Sequence, residues 1–389
     1  MTPTTNTQQV MHSSNTTGKQ ARICIPTWRR FSPNAFRGPL YEAQDVFAQV
    51  DDVDLIQLEP ESSFQWKEKW LRKLIWKDFS KQLVHCNPGL TPIHLNHDYE
   101  LLVVMCQQWW ELLNLNAIKG WRNRCQKAVC WIDEIYVGEI RRRPNWLNAL
   151  EQFDHIILPY KQSAYALSEI IGRPCHYISR AVDVIRFSPY PFKPERTIDV
   201  LSIGRRWDGI HNALLELERT GQVFYMHDTV MDGGDQRMQA VNQHRNMLAN
   251  LIKRSRYFMV APGKMLDDRE TQGQMEPGMR YFEGAAAGAV LIGQSVDTDA
   301  FRALFDWPQA VIPIQPDGSD VGEMIHGLNS QPELLRIISE RNAARCAKHH
   351  DWMHRWEAIL GIAGMTSTSR LEERKARLMA LSNHPLTVH

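Results

Sequence analysis

Arg280 and Glu283 stand three residues apart at the mouth of an alanine-rich stretch, "EPGMRYFEGAAAGAVLIG" (276–293). Pro277-Gly278 breaks the chain just before a helical spacing begins, which predicts a helix over 279–287. The first amides of such a helix are unpaired and carry the positive end of its dipole, so they suit a phosphate. Gly278 leaves room for a ligand beside the backbone of Met279, and Arg280 adds a full charge. Glu283 falls on a neighbouring face. A carboxylate there repels phosphate but can accept two hydrogen bonds from a cis-diol such as a ribose. Without further context the same pair also reads as an ordinary helical ion pair worth about 0.3–0.5 kcal/mol. The small residues Gly284 to Ala287 predict close packing on a sheet, and the chain then runs through Gly288 into an apolar strand.

Other segments carry candidate chemistry. "WRRFSPNAFRG" (28–38) follows the first predicted strand, so Arg29, Arg30 and Arg37 are candidates for an anionic acceptor or the donor phosphate, against a reading as solvated arginines. "WIDEIY" (131–136) ends a strand with Asp133 and Glu134, either of which can orient or deprotonate an acceptor hydroxyl; a helix cap is the alternative. His94 and His97, and His349, His350 and His354, lack nearby cysteines and the H-E-x-x-H arrangement, and Asp52-Val53-Asp54 reads as a turn cap, so no metal site is expected. Neither a G-x-x-x-x-G-K-[ST] loop nor a G-x-G-x-x-G after the first strand is present, which argues against nucleoside-triphosphatase and dehydrogenase classes. "QWKEKWLRKLIW" and "CQQWWELL" have helical spacing that predicts core packing rather than stacking on sugar rings.

The elements that would position these groups form two alternating series. Strands are predicted at 22–26, 53–60, 100–107, 127–133, 153–159 and 174–179, then at 197–204, 222–228, 256–262, 289–294 and 310–315, with helices between them. Their near-continuous hydrophobicity predicts parallel sheets covered on both faces. The fold class expected is α/β: two Rossmann-like domains, 21–182 and 198–348, joined by a proline-rich exposed linker (183–197). C-terminal helices (349–389) partly return to the first domain, and a disordered polar tail (1–20) precedes it. Ligands of open α/β sheets bind at the carboxyl ends of the strands, so the site is expected in the cleft.

The 389 residues are 43% hydrophobic and 23% charged, with 45 Lys+Arg against 44 Asp+Glu. That balance gives no strong overall field, so no nucleic-acid partner is expected and membrane association is expected to be peripheral at most. Seven scattered cysteines predict reduced thiols in a cytoplasmic protein. No apolar run reaches the ~20 residues of a membrane span. The mildly basic C-terminal segment reads as an ordinary terminal helix.

"RYFEGAAAGAVLIG" resembles the donor-site motif of GT-B glycosyltransferases of the group 1 class, and looks closest to the spore-maturation-type branch with its R-x-F-E stretch. "YISRAVDVIRFSPYP" (177–191), "DVLSIGRRWDGIHNALLEL" (199–217), "LIKRSRYFMVAP" (251–262) and "HHDWMHRWEAIL" (349–360) agree in order, so the resemblance covers roughly 150–360. It implies a hexosyltransferase-like enzyme of polysaccharide or glycoconjugate biosynthesis. Such an enzyme moves a sugar from a nucleotide-diphosphate sugar to a sugar, lipid-linked or small-molecule acceptor, without metal or cofactor and with retention. Carried over, Glu283 holds the ribose, Arg280 with Arg205 neutralises the diphosphate, and the amides at Gly278 and Met279 complete the cradle. Asp208 stands near where the class has a lysine, leaving Arg206 as a substitute. Glu276 is one residue from the class spacing of its second glutamate, so its assignment to sugar hydroxyls competes with an exposed loop carboxylate. Two other readings share these residues: a non-catalytic nucleotide-sugar-binding subunit of a biosynthetic complex, and a nucleotide-sugar epimerase.

Overall fold

The computed structural model describes residues 11–12, 20–77, 79–142, 144–229, 237–238 and 240–383. Two sheets organise the chain. The first contains β1 (Met11–His12), β2 (Ile23–Thr27), β3 (Val53–Gln57), β4 (Tyr99–Cys106), β5 (Cys125–Ile132), β6 (His155–Leu158) and β7 (Cys175–Tyr177) in the order β1-β3-β2-β4-β5-β6-β7. All its pairs are parallel except β1 on β3, where Met11 faces Leu55 and His12 faces Asp54. Those two residues of the expected disordered tail therefore pair as a strand; 1–10 and 13–19 lie outside the described residues. The second sheet contains β8 (Ile198–Ser202), β9 (Tyr225–His227), β10 (Ser255–Val260), β11 (Val290–Gly293) and β12 (Ile312–Pro313), all parallel, in the order β12-β11-β10-β8-β9.

Helices cover both sheets. Those that build the site and the seam are α1 (Gly38–Val50), α2 (Phe64–Trp76), α3 (Val241–Lys253), α4 (Met279–Ala286), α5 (Pro332–His349), α6 (Trp352–Ala363) and α7 (Ser369–Ser382). The alanine-rich helix α4 lies flat on its sheet for a steric reason. A Cβ at Gly284 would come 2.5 Å from Leu291 Cδ2 and 2.5 Å from Phe258 Cδ1. Ala285, Ala286 and Ala287 are fully buried behind it. Gly288, at φ +64°, then turns the chain out of the helix toward β11, a conformation glycine adopts without strain.

One continuous apolar core joins the two sheets. Helix α6 returns to the first domain, where Trp356 stacks on Phe47 of α1 (4.4 Å between ring centroids) and Trp352 meets Trp131 of β5 edge-on (6.0 Å). Their indole N–H groups donate to Asp51 (3.0 Å) and Glu42 (3.3 Å), so the buried rings leave no polar atom unpaired. Helix α7 lies alongside, Arg374 donating to Asp351 and Asp183. The segment expected as an exposed linker starts inside this seam. Asp183 caps the short helix Val184–Phe187, and both Val184 and Phe187 are fully buried; exposure begins only at Pro191 and reaches 92% at Phe192.

Candidate active site

The parallel strands deliver their polar residues to one place, the loops at their carboxyl ends. Strand β8 runs into Ile203-Gly204-Arg205-Arg206, β10 into Pro262-Gly263-Lys264, β5 into Asp133-Glu134 and β6 toward Tyr160. These loops face one another across the interdomain cleft in two connected clusters.

The first cluster forms at the start of α4. Gly278 caps the helix with extended backbone and no side-chain cap, so the first-turn amides face outward without an internal acceptor from a capping side chain. Arg280 Nε donates to the Ile203 carbonyl at 3.1 Å, which brings its guanidinium against the Gly204 turn. Arg280 Nη1 also donates to Glu283 Oε2 at 2.5 Å. The other Glu283 oxygen accepts from Arg245 Nη1 of α3. Burial by itself would raise the Glu283 carboxyl, but the Arg280 and Arg245 guanidiniums outweigh it and hold the group at about 2. The two arginines differ in access: the Arg280 side chain keeps 29% of its surface and Arg245 only 2%. His244, one residue before Arg245, has a buried Nδ1 without a partner among the described residues.

Arg205 lies exposed on the same turn. Arg206 turns away and closes on Asp228, with Nη1 at 2.6 Å from Oδ1 and Nη2 at 2.8 Å from the carbonyl, while Gly204 N–H donates to Asp228 Oδ2 at 2.8 Å. The structure therefore gathers Gly278, Met279, Arg280, Glu283 and Arg205 and ties Arg206 to β9.

The second cluster spans the domains. Asp133 accepts from Arg180 Nε (3.1 Å to each oxygen), and Arg180 Nη2 donates to the Asp133 carbonyl (2.8 Å). Glu134 accepts from Gln107 (3.2 Å) and Gln108 (3.1 Å) and lies 3.5 Å from Lys264 Nζ of the opposite domain. Lys264 also pairs with Glu270. Glu276 is 4% exposed and accepts from Gln274 at 2.6 Å, so the loop carboxylate is buried rather than solvated. Burial raises its carboxyl to about 7, against smaller opposing effects of Gln274 and Arg180. The hydroxyls of Tyr136 and Tyr160, whose rings are 5.2 Å apart, are buried without partners among the described residues. Beside them opens a cleft of about 410 Å³ between Gly138 and Arg141 on one side and Gln272 and Gln274 on the other. An adjoining cavity of about 220 Å³ reaches Glu276.

The two clusters meet at residues 276–278. Gly263 N–H donates to the Glu276 carbonyl (2.8 Å), and Arg180 Nη1 donates to that of Pro277 (3.3 Å). Arg355 of α6 fixes Arg180 in turn, its Nη2 donating to the Arg180 carbonyl at 2.8 Å. The candidate acceptor arginines sit apart from this junction. Arg29 binds Asp45 (2.7 Å), Arg30 binds Glu59 (3.0 Å), and Arg37 binds Glu111 and Asn34 (3.0 Å each), all within the first domain.

Sequence reasoning missed Arg180, Arg245, Lys264 and Glu42. A signal existed for two of them. Glu42 interrupts the apolar face of "PLYEAQDVF", and Arg245 interrupts the stripe of α3, and a charge at a core position of a helix needs a buried partner. Nothing local marks Lys264 or Arg180, whose partners come from distant loops.

Two Rossmann-like domains that face each other across a cleft, closed by helices returning to the first, define the GT-B fold. Residues 196–361, the second domain with α5 and most of α6, match a family model described as glycosyl transferase-like. An α-glucosyltransferase solved with UDP and a 13-mer DNA containing a HMU base has a similar structure, with a TM-score of 0.52 at 13% identity over 89% of this chain and 100% of that chain. The N-terminal domain of Candida albicans trehalose-6-phosphate phosphatase gives a TM-score of 0.52 at 10% identity over 88% and 96%. No curated protein matches the chain by sequence. At these identities the likeness is one of fold.

The expectation of no nucleic-acid partner does not stand. An α-glucosyltransferase of this fold was also solved with UDP-glucose and DNA containing an abasic site (TM-score 0.51, 12% identity, 89% and 100% coverage). The physical reason is that binding to phosphates depends on local clusters of cations, which a near-zero total charge does not exclude.

Proposed function

We propose that this protein transfers a sugar from a nucleotide-diphosphate sugar to an acceptor hydroxyl, without a metal and with retention at the anomeric carbon. The observation that carries the reading is the convergence of Arg280, the Gly204-Arg205 turn and the uncapped start of α4 on one point beside a buried carboxylate. The glycosyl transferase-like match over 196–361 supports it.

In this reading the donor diphosphate takes Arg280 away from Glu283. Arg280 is the accessible partner; Arg245 stays behind to keep Glu283 ionised. The freed Glu283 Oε2 then accepts from the ribose hydroxyls. As the sugar–phosphate bond breaks, its electron pair leaves with the diphosphate, and Arg280, Arg205 and the α4 amides stabilise that charge. The acceptor oxygen bonds to the anomeric carbon on the face from which the diphosphate departs, which gives retention, and gives up its proton. Glu134 is the better-placed group to receive it: it is the more accessible of the two and is held by two neutral amides and a lysine 3.5 Å away, whereas a buried guanidinium spans both oxygens of Asp133. Asp133 thus acts as a positioning residue. Glu276, Tyr136 and Tyr160 offer the sugar hydroxyls a buried polar wall. The acceptor hydroxyl belongs to a sugar, a lipid-linked molecule, another small molecule or a nucleic acid.

Calorimetric titration with UDP, GDP, ADP and dTDP tests the donor site, with Glu283→Ala as control. Binding of one nucleotide that is lost in the variant supports the reading; no binding at millimolar concentration removes it. Donor consumption that needs no acceptor would favour an epimerase, and binding without any turnover a non-catalytic subunit.

A further inference from the structure

Helix α2 presents an outward face on which exposed tryptophans and lysines alternate. Its packed side is Phe64, Leu71 and Ile75, and only Ile75 is fully buried. The opposite side carries Trp66 (57% exposed) and Trp70 (54%), interleaved with exposed Lys69, Lys73 and Lys77. Phe79, just beyond, is 76% exposed. The expected core packing of "QWKEKWLRKLIW" therefore does not occur at these tryptophans. Over residues 64–81 six lysines and arginines oppose Glu68 and Asp78, a net of +4 in a chain whose total is +1.

We infer that this face docks the protein on an anionic lipid surface. Tryptophan rings favour the headgroup level of a bilayer, and lysine ammoniums on flexible stems reach the anionic phosphates beside them. The face is the convex side of one helix, which fits a flat bilayer, whereas single-stranded nucleic acid is held in a groove lined by stacking platforms. The one arginine of α2 is turned inward: Arg72 donates to Glu68 (3.0 Å) and stacks over Trp110 (4.2 Å). The outward cations are thus all lysines. No helix among the described residues is long and apolar enough to cross a membrane, so contact at α2 would be interfacial.

The position of the face gives the docking a consequence. Phe64, at the start of α2, packs edge-on against Phe31 (5.1 Å), and Phe31 belongs to the loop that leaves β2 at the cleft rim. The second domain meets that same loop, where Met238 N–H donates to the Pro33 carbonyl at 2.7 Å. A bilayer under α2 therefore lies beside the mouth of the cleft. The inference stands on α2 alone and does not depend on the transfer reaction.

Co-sedimentation of the full chain with vesicles tests it, using phosphatidylcholine alone and phosphatidylcholine with about one-third phosphatidylglycerol. The protein is expected to sediment with the anionic vesicles and to stay in solution with the neutral ones. Trp66→Ala/Trp70→Ala is expected to lower the bound fraction about tenfold with an unchanged thermal midpoint, and Lys69→Glu/Lys73→Glu to do the same. Absence of wild-type binding, or equal binding by the tryptophan variant, overturns the inference. So does tighter binding of a single-stranded oligonucleotide that displaces the vesicles, or a dimer in sedimentation velocity that the tryptophan variant dissolves.

Discussion

Arg245 Nε of the second domain stands 2.8 Å from Glu42 Oε2 of the first, and both side chains are buried. The same guanidinium holds Glu283, so one residue couples the domain seam to the candidate ribose-binding carboxylate. Helix α3 is thereby pinned to α1 by charge as well as by packing, and Glu42 gains further donors in the Asp183 amide (2.9 Å) and the Trp352 indole (3.3 Å).

Removing Arg245 takes a cation from two buried carboxylates at once, leaving Glu283 with Arg280 alone and Glu42 with Arg186 at 3.4 Å. Arg245→Ala is expected to cost about 3–5 kcal/mol in urea unfolding, the range seen when one partner of a buried ion pair is lost. A cost under about 1 kcal/mol would mean that water reaches Glu42 and Glu283 and that the seam is not closed as described.

Glu276 and Glu283 give stability contributions of opposite pH dependence. The Glu276 carboxyl is raised to about 7, so between about 4.5 and 7 the unfolded chain loses this proton while the folded one keeps it. The stability it contributes is complete below that window and is lost as pH rises through it. Glu276→Gln is expected to gain on wild type by about 3 kcal/mol across the window, read from denaturation midpoints at each pH. Glu139, which burial also raises to about 7, carries the same sign. Glu283 is held at about 2, so its contribution is present above the ordinary carboxylate range and is lost as pH falls toward 2. The deficit of Glu283→Gln relative to wild type should therefore shrink on acidification. A flat difference for either variant contradicts the environment described for it.

Gly284→Ala probes the contact of α4 with its sheet. The added methyl meets Leu291 and Phe258 at 2.5 Å, and both side chains sit in a packed core. A loss of about 1–3 kcal/mol in thermal or chemical unfolding is expected. Since alanine is otherwise the better helix former, a gain in stability would show that α4 stands farther from β10 and β11.

Arg280→Ala separates ligand binding from folding. Its side chain is partly accessible and Glu283 keeps Arg245, so unfolding should change by no more than about 1 kcal/mol. Nucleotide-diphosphate affinity should fall at least about tenfold, about 1.4 kcal/mol. Unchanged affinity would move the diphosphate away from the start of α4.

The alternation of apolar runs and helical spacings was enough to lay out both sheets, because strands buried on two faces must be continuously hydrophobic whatever their neighbours. The start of α4 was legible for a similar reason: Pro277-Gly278, Arg280, Glu283 and the small residues act through local spacing and helix-end chemistry. The state of those groups was not legible. Whether Glu283 is free or bound depends on Arg245, 38 residues away, and on Glu42 beyond it. Arg29, Arg30 and Arg37 looked available only because Asp45, Glu59 and Glu111 reach them through the fold. Glu276 looked exposed in a polar loop and is buried because that loop closes over the first domain. Trp66 and Trp70 had core spacing, yet the helix they ride on has a core on one side only. Local pattern determines which elements form and which residue types end their strands; long-range packing decides which charges meet, which are desolvated and which face is left open.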